Sequence, residues 1–319
     1  MAADAAPLIT VIMPCFNAAV HVLAGMGSVL AQTWRDIELL VIDNASTDDT
    51  VRAVESVKDP RVRLLRESKR GVSAARNLGI ARARGRFIAF LDSDDSWATD
   101  CLEKLHAALA AVPSAGLAYC GWQNVGLGGR RGEPYVPPDY EGPDKLARIL
   151  PDCPWPIHAA LTRTEAVREA GGFDERFAYA EDFGLWLRIA AAHPIVRVPE
   201  VLAFYHHHDG PRATRDLVRA ARQLYAVQRD FLARQPLAAQ RIGYRKARAL
   251  INERMMERAF ERYWQRDLDS AHAIFRLALR SGAARPKDWR YVLPAALPLP
   301  LFRALVHWAD GAHRQTPTR

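Results

Sequence analysis

Three carboxylates fall within four positions in Asp92-Ser93-Asp94-Asp95, directly after the apolar run Phe87-Ile88-Ala89-Phe90-Leu91. Two carboxylates spaced i, i+2 at the tip of a buried strand can turn toward one point. Hard divalent cations such as Mg²⁺ and Mn²⁺ favour oxygen ligands, and Mg²⁺ is commonly held by one or two carboxylates plus phosphate oxygens. Such a cation would also relieve the mutual repulsion of the three acids. The plainer reading is a solvated acidic turn ahead of a helix opening at Asp100. Two further polar clusters follow apolar runs: Pro14-Cys15-Phe16-Asn17 and Asp43-Asn44-Ala45-Ser46-Thr47-Asp48-Asp49-Thr50. Each alone is ordinary, because Asp, Asn and Ser cap helices and build turns. Together they matter only if one sheet presents all three along the same edge.

The chain therefore has to supply that sheet. Leu8–Pro14, Glu38–Asp43, Val62–Arg66, Arg86–Asp92 and Leu117–Cys120 read as strands, being short, apolar and bounded by turn residues. Helical patterns lie between them at Ala18–Ala31, Asp49–Val57, Ala74–Arg84 and Asp100–Val112. The last has Asp100 three residues before Glu103, a capping-box spacing. Strands alternating with helices give βαβ units and an open, mostly parallel sheet covered on both faces. In such sheets ligands bind beyond the carboxyl ends of the strands, where the polar clusters fall. Residues 121–152 are rich in Gly, Pro and charge and read as a long loop. A strand Ile157–Thr162 follows, then a helix opening near Glu181, with Phe183, Trp186, Leu187 and Ala190 on one face. Ile195–Val198 and Val201–His206 read as two extended pieces. From Arg212 to about Arg280 the texture is helical, with breaks at Pro236 and Gly282.

Composition bounds the setting. The 319 residues carry 44 Lys+Arg against 36 Asp+Glu, a net charge of +8. Of these, residues 211–319 hold 22 basic and 9 acidic, leaving 22 and 27 for residues 1–210, so the basic character belongs to the tail. No signal-peptide pattern opens the chain, and Met1–Pro7 reads as a frayed leader. No apolar run reaches the ~18 residues of a spanning helix. Cys15, Cys101, Cys120 and Cys153 show no paired spacing, which favours reduced thiols and a cytoplasmic compartment.

Ile9–Asn17, Leu39–Asp48, Gly71–Asn77, Phe90–Asp95, Gly171-Gly-Phe-Asp-Glu175 and Glu181-Asp182 together resemble the family 2 glycosyltransferases, in that family's order and over about residues 8–208. The resemblance implies a GT-A fold, a Rossmann-like α/β sheet that binds nucleotide-diphospho-sugars, here with a helical C-terminal region. It implies a UDP- or dTDP-linked donor, a divalent metal (Mg²⁺ or Mn²⁺), an acceptor hydroxyl on a glycan or lipid-linked glycoconjugate, and inversion at the anomeric carbon. Residues 1–120 would then bind the nucleotide sugar and 121–210 the acceptor.

Carried over by position, Pro14, Phe16 and Asn17 are expected to line the nucleotide pocket. Asp43, with Asn44 beside it, is expected at the base, and Asp92, with Ser93, near the ribose. Asp94 is expected on the metal. Arg76 is expected either to contact the donor or to brace the acidic loop, a structural ion pair being the alternative. Of Glu181-Asp182, Asp182 is the expected base; acids in a first helical turn are also favoured by the helix dipole. His208 is expected to complete the metal site. His206 stands where the family pattern has Arg, so a diphosphate contact there is not expected. Adjacent histidines suit metal binding on composition, and a polar loop is the alternative. Trp155 is open to two roles, stacking on an acceptor sugar or plain packing.

Three other classes fit less well. A nicotinamide-linked dehydrogenase needs G-x-G-x-x-G after the first strand, where this chain has Pro-Cys-Phe-Asn-Ala-Ala. A nucleotidyltransferase leaves Glu181-Asp182 without a role. A nucleic-acid-binding protein would use the basic tail, but no recognised motif accompanies it and no nucleic-acid partner is expected. For the tail three readings stand: contact with the inner face of a membrane, packing on the catalytic domain, and a homodimer interface.

Overall fold

Short, densely apolar stretches, too water-avoiding to leave either face exposed, form the interior of a parallel sheet, and a partly exposed, arginine-bearing strand closes its edge. In the computed structural model, which describes residues 8–208 and 216–314, these are β1 (Ile9–Cys15), β2 (Ile37–Asp43), β3 (Val62–Arg66) and β4 (Phe87–Phe90). The expected leader, Met1–Pro7, lies outside the described residues. Every residue of β1, β2 and β4 is buried. β1 pairs in parallel with both β2 and β4, and β2 with β3. The connecting helices are α1 (Val22–Leu30), α2 (Thr50–Ser56) and α3 (Val72–Arg82). α3 lies close on β1 because residue 79 is glycine; a Cβ there would stand 2.5 Å from Ile12 Cγ2. Besides Asp43 at its tip, β2 holds one other buried acid, Glu38, which accepts from Thr10 Oγ1 (2.7 Å) and from the backbone N–H of Arg84 (2.8 Å).

Beyond β4 come β5 (Ser96–Trp97), α4 (Cys101–Ala111), β6 (Leu117–Val125), α5 (Lys145–Ile149), β7 (Ala160–Arg163), α6 (Thr164–Glu169), α7 (Glu181–Ala192) and β8 (Ile195–His206). The sheet order is β3-β2-β1-β4-β7-β6-β8-β5. β7 runs antiparallel between β4 and β6.

Several expectations need correction. The segment read as a loop from Gly121 holds the second half of β6, which pairs with β8 across register shifts on both sides of Gly121. A Cβ at Gly121 would lie 2.7 Å from Tyr135 O, so the glycine answers to a close backbone approach rather than to a turn. The two extended pieces after residue 195 are one strand, β8. The expected strand Ile157–Thr162 begins as a 3-10 turn and becomes extended only at Ala160. The capping box at Asp100 does not form: Lys104 holds the Asp100 carboxylate (2.7 Å), while Glu103 accepts from Thr33 Oγ1 (2.5 Å).

The described residues divide into two compact units, residues 8–149 with 153–208 and residues 150–152 with 216–314. The second unit is helical: α8 (Leu217–Arg234), α9 (Pro236–Ile242), α10 (Tyr244–Trp264), α11 (Leu268–Ser281), α12 (Trp289–Val292) and α13 (Leu299–Arg314). Pro236 opens α9, where a missing N–H is tolerated, and Gly282 closes α11 in the left-handed conformation. The side chains of Asp216 and Asp267 cap α8 and α11. Met255, Ala259, Tyr263, Phe275, Phe302 and Val306 pack the core. Asp152 belongs to this unit and is paired with Arg254 and Arg258. No described helix is long and apolar enough to cross a membrane.

Candidate functional site

Because β1, β2 and β3 run in register, Cys15, Asp43 and Arg66 end side by side. Pro14 is buried inside β1. Its nitrogen faces the β4 side, and the bond from Leu91 N–H to Ile12 O ends the ladder there, so the ring removes no hydrogen bond. Phe16, the next residue but one, is half exposed beyond the strand tip, with the Arg70 guanidinium 5.7 Å from its ring centre. Asn17 takes a positive φ of 50° and ties the first two clusters together. Its N–H donates to Ser46 Oγ (3.0 Å), and its Oδ1 accepts from Thr47 N–H (2.8 Å). Asp43 is buried and accepts from the backbone N–H of Ser46 (3.2 Å). Asn44 donates to the carbonyls of Glu67 and Lys69 and accepts from Gly71 N–H. Its amide is therefore committed to holding the 67–71 turn, which launches α3.

α3 carries the residue that joins the site. Arg76 is almost wholly buried, yet it reaches Asp92 Oδ1 (2.6 Å) with one nitrogen and Glu181 Oε1 (2.7 Å) with another. Its plane also sits 5.3 Å from the Phe173 ring centre. Burial alone would lower the guanidinium pKa, but Asp92 and Glu181 outweigh it and the net shift is upward. These two ion pairs fit the brace and the plain structural ion pair alike. One buried cation thus fastens the acidic loop after β4 to the first turn of α7, holding partners 16 and 105 positions away in the chain.

Asp182 is the neighbour that this arrangement perturbs. Burial, and next the charge of Glu181, push its carboxyl up to about 7, with Arg76 pulling the other way. Its Oδ1 accepts from Phe183 N–H (2.7 Å). Ala180, immediately before the pair, has a left-handed φ of 57°, a conformation that is unfavourable for a residue with a Cβ and that collects at functional sites.

Asp94 and His208 also come together: Asp94 Oδ2 lies 2.9 Å from His208 Nε2, and His208 stacks on His21 with ring centres 4.5 Å apart. Among the described residues no set of three or more His, Cys, Asp or Glu is arranged to hold a metal ion. An Asp oxygen and an imidazole nitrogen on one side still suit a cation that draws its remaining ligands from a diphosphate and water. Ser93 is buried beneath the loop, where α1 leaves room for it: a Cβ on Gly25 would stand 2.8 Å from Ser93 O.

Two members of the site went unassigned in the sequence. Asp95 is buried and accepts from His206 N–H (3.0 Å), and its Oδ2 lies 3.1 Å from Nδ1 of the fully buried His158. Burial raises the Asp95 carboxyl. Burial pulls His158 down, but the charge of Asp95 overcomes it and the net shift is upward. Asp95 was visible in the acidic run, but nothing in the spacing of His158 marks it. His206 meets Ser96 Oγ (2.8 Å) and His207 meets Asn124 Oδ1 (3.0 Å), so the three adjacent histidines reach three different groups. Trp155 is buried and stacked on Tyr119 at 4.1 Å, which decides for packing over sugar stacking. Burial pushes the Cys15 thiol up to about 12, leaving it protonated and unreactive.

Residues 10–165 match the family model described as Glycosyl transferase family 2. An Escherichia coli protein, UDP-Glc:alpha-D-GlcNAc-diphosphoundecaprenol beta-1,3-glucosyltransferase WfgD, is 33% identical over 57% of this chain and 69% of its own length. An uncharacterized glycosyltransferase of Haemophilus influenzae is 45% identical over 31% of this chain, a match that spans 40% of that relative. Among solved structures, S. aureus TarS in complex with UDP-GlcNAc superposes with a TM-score of 0.67 at 17% identity, covering 95% of this chain and 92% of that one. The sheet and its flanking helices are those of the GT-A fold, and the chain belongs to glycosyl transferase family 2.

Proposed function

We propose that this protein transfers a sugar, with inversion, from a UDP- or dTDP-linked donor to an acceptor hydroxyl in glycan or glycoconjugate synthesis. The observation that carries the reading is the buried Arg76, which draws Asp92 and Glu181 together and leaves Asp182 beside them with a carboxyl at about 7. A carboxyl poised near neutrality is suited to general-base work. In the proposed step Asp182 accepts the acceptor's hydroxyl proton as that oxygen bonds to the anomeric carbon. The bond from that carbon to the diphosphate breaks, and its electron pair leaves on the diphosphate. Phe16, Asn17 and Asp43 hold the nucleotide beyond the strand tips, Asp92 and Ser93 lie by the ribose, and Pro14 and Asn44 act by shaping the backbone around them. Asp94 and His208 would hold Mg²⁺ or Mn²⁺, which supplies positive charge to the departing diphosphate.

The names of relatives support the acceptor class: WfgD is named for a diphosphoundecaprenol-linked acceptor, and an O-antigen biosynthesis protein of Myxococcus xanthus is 30% identical over 65% of this chain, a match that spans 16% of that relative. The test is a screen of nucleotide sugars for metal-dependent donor hydrolysis and transfer, followed by proton NMR of the new glycosidic bond. A product of opposite anomeric configuration to the donor is expected. Retention, or full activity in EDTA, would overturn the reading.

A further inference from the structure

The last helix of the second unit is apolar over more of its circumference than the unit covers. Phe302 and Val306 point into the core and are almost wholly buried. Leu301, Leu305 and Trp308, spaced four and three residues apart, share another face of α13 and are 55%, 43% and 74% exposed. Spacing of that kind places side chains in one stripe along a helix. The segment before it is exposed in the same manner at Trp289, Leu293 and Leu297.

Charge says what such a stripe would meet. Between Asp288 and Asp310 there is no acidic residue, and residues 211–319 carry 22 basic against 9 acidic residues. Arg290 is exposed over the Tyr291 ring, and Arg303 is exposed in a pair with Asp269. A second copy of the chain would bring the same positive charge to the interface. An anionic bilayer surface brings the opposite charge, together with an apolar layer for Leu and an interfacial zone that favours Trp. No described helix is long and apolar enough to cross a membrane, so the contact is one of lying on the surface.

We propose that Leu301, Leu305 and Trp308, on a helical unit of strongly basic composition, form a docking face for an anionic lipid bilayer. The contact involves none of the residues assigned to sugar transfer, so it stands or falls separately from the proposed activity.

The test is co-sedimentation of the full chain with two kinds of vesicle, phosphatidylcholine alone and phosphatidylcholine with about a third phosphatidylglycerol, a range where basic residues add measurably to binding. Binding to the anionic vesicles only, weakening as salt is raised, is expected. The triple variant Leu301→Ser, Leu305→Ser, Trp308→Ser should bind roughly tenfold or more weakly, given the apolar area it removes from the contact. It should keep the wild-type circular dichroism and melting temperature, because the three side chains are exposed. Absence of binding at low salt overturns the proposal, as does undiminished binding by the variant. Sedimentation velocity separates the rival occupant: a wild-type dimer that the variant dissolves, without any vesicle binding, overturns the proposal and assigns the face to a second copy.

Discussion

Arg76 places its charge inside the protein, on Asp92 and Glu181, and the effect on Asp182 follows from where those charges lie. After burial, Glu181 is the strongest influence raising the Asp182 carboxyl. A raised carboxyl is protonated, and useless as a base, until the pH passes its pKa, so turnover should fall as pH drops through about 7. Glu181→Gln removes the repulsion while its amide oxygen can still accept from Arg76. The acid limb of the pH–rate profile should therefore move to lower pH. A limb that stays in place, or moves up, would show that the titration belongs to another group. Asp94 and His208 bear on a different half of the site. Asp94→Ala should weaken nucleoside-diphosphate binding in the presence of Mn²⁺, as read by calorimetry, while leaving binding in EDTA close to wild type.

The elements that aim the site are α1, α3 and α7, and two of them do so through missing side chains. Gly79 lets α3 lie on β1, and Gly25 lets α1 approach the acidic loop more closely than a methyl group would allow. Gly25→Ala should overpack that contact, costing about 1–3 kcal/mol of stability by denaturant melts and raising the donor KM. An unchanged donor KM would mean that the loop is positioned from elsewhere. Much of this was legible in the sequence. The parallel strands announce themselves by dense apolar runs, and the polar clusters by standing at their ends. α7 begins at Glu181, where the pattern put it, because Phe183, Trp186, Leu187 and Ala190 repeat at helical spacing. What escaped depends on distant partners. β6 continues past Gly121 only because β8 lies alongside, and the Asp100 cap fails because Lys104 and Thr33 compete for the two acids. His158 has its role from Asp95, 63 positions earlier in the chain, and no local pattern records that pairing.

For the molecule taken whole, binding should appear as stability. A ligand that binds only the folded chain stabilises it by RT ln(1 + [L]/Kd), about 2.7 kcal/mol at a hundredfold excess over Kd. The matching donor with Mn²⁺ should therefore raise the melting temperature by several degrees, and EDTA should cancel most of that rise. The proposed reaction turns in the end on one carboxylate. Asp182→Asn keeps the size and most of the hydrogen bonding of the side chain but cannot accept a proton. The measurement is kcat of this variant beside its donor Kd. A fall in kcat of ~10² or more with donor affinity nearly unchanged is expected, in line with general-base catalysis. A variant that keeps most of its turnover would remove Asp182 from the role of base.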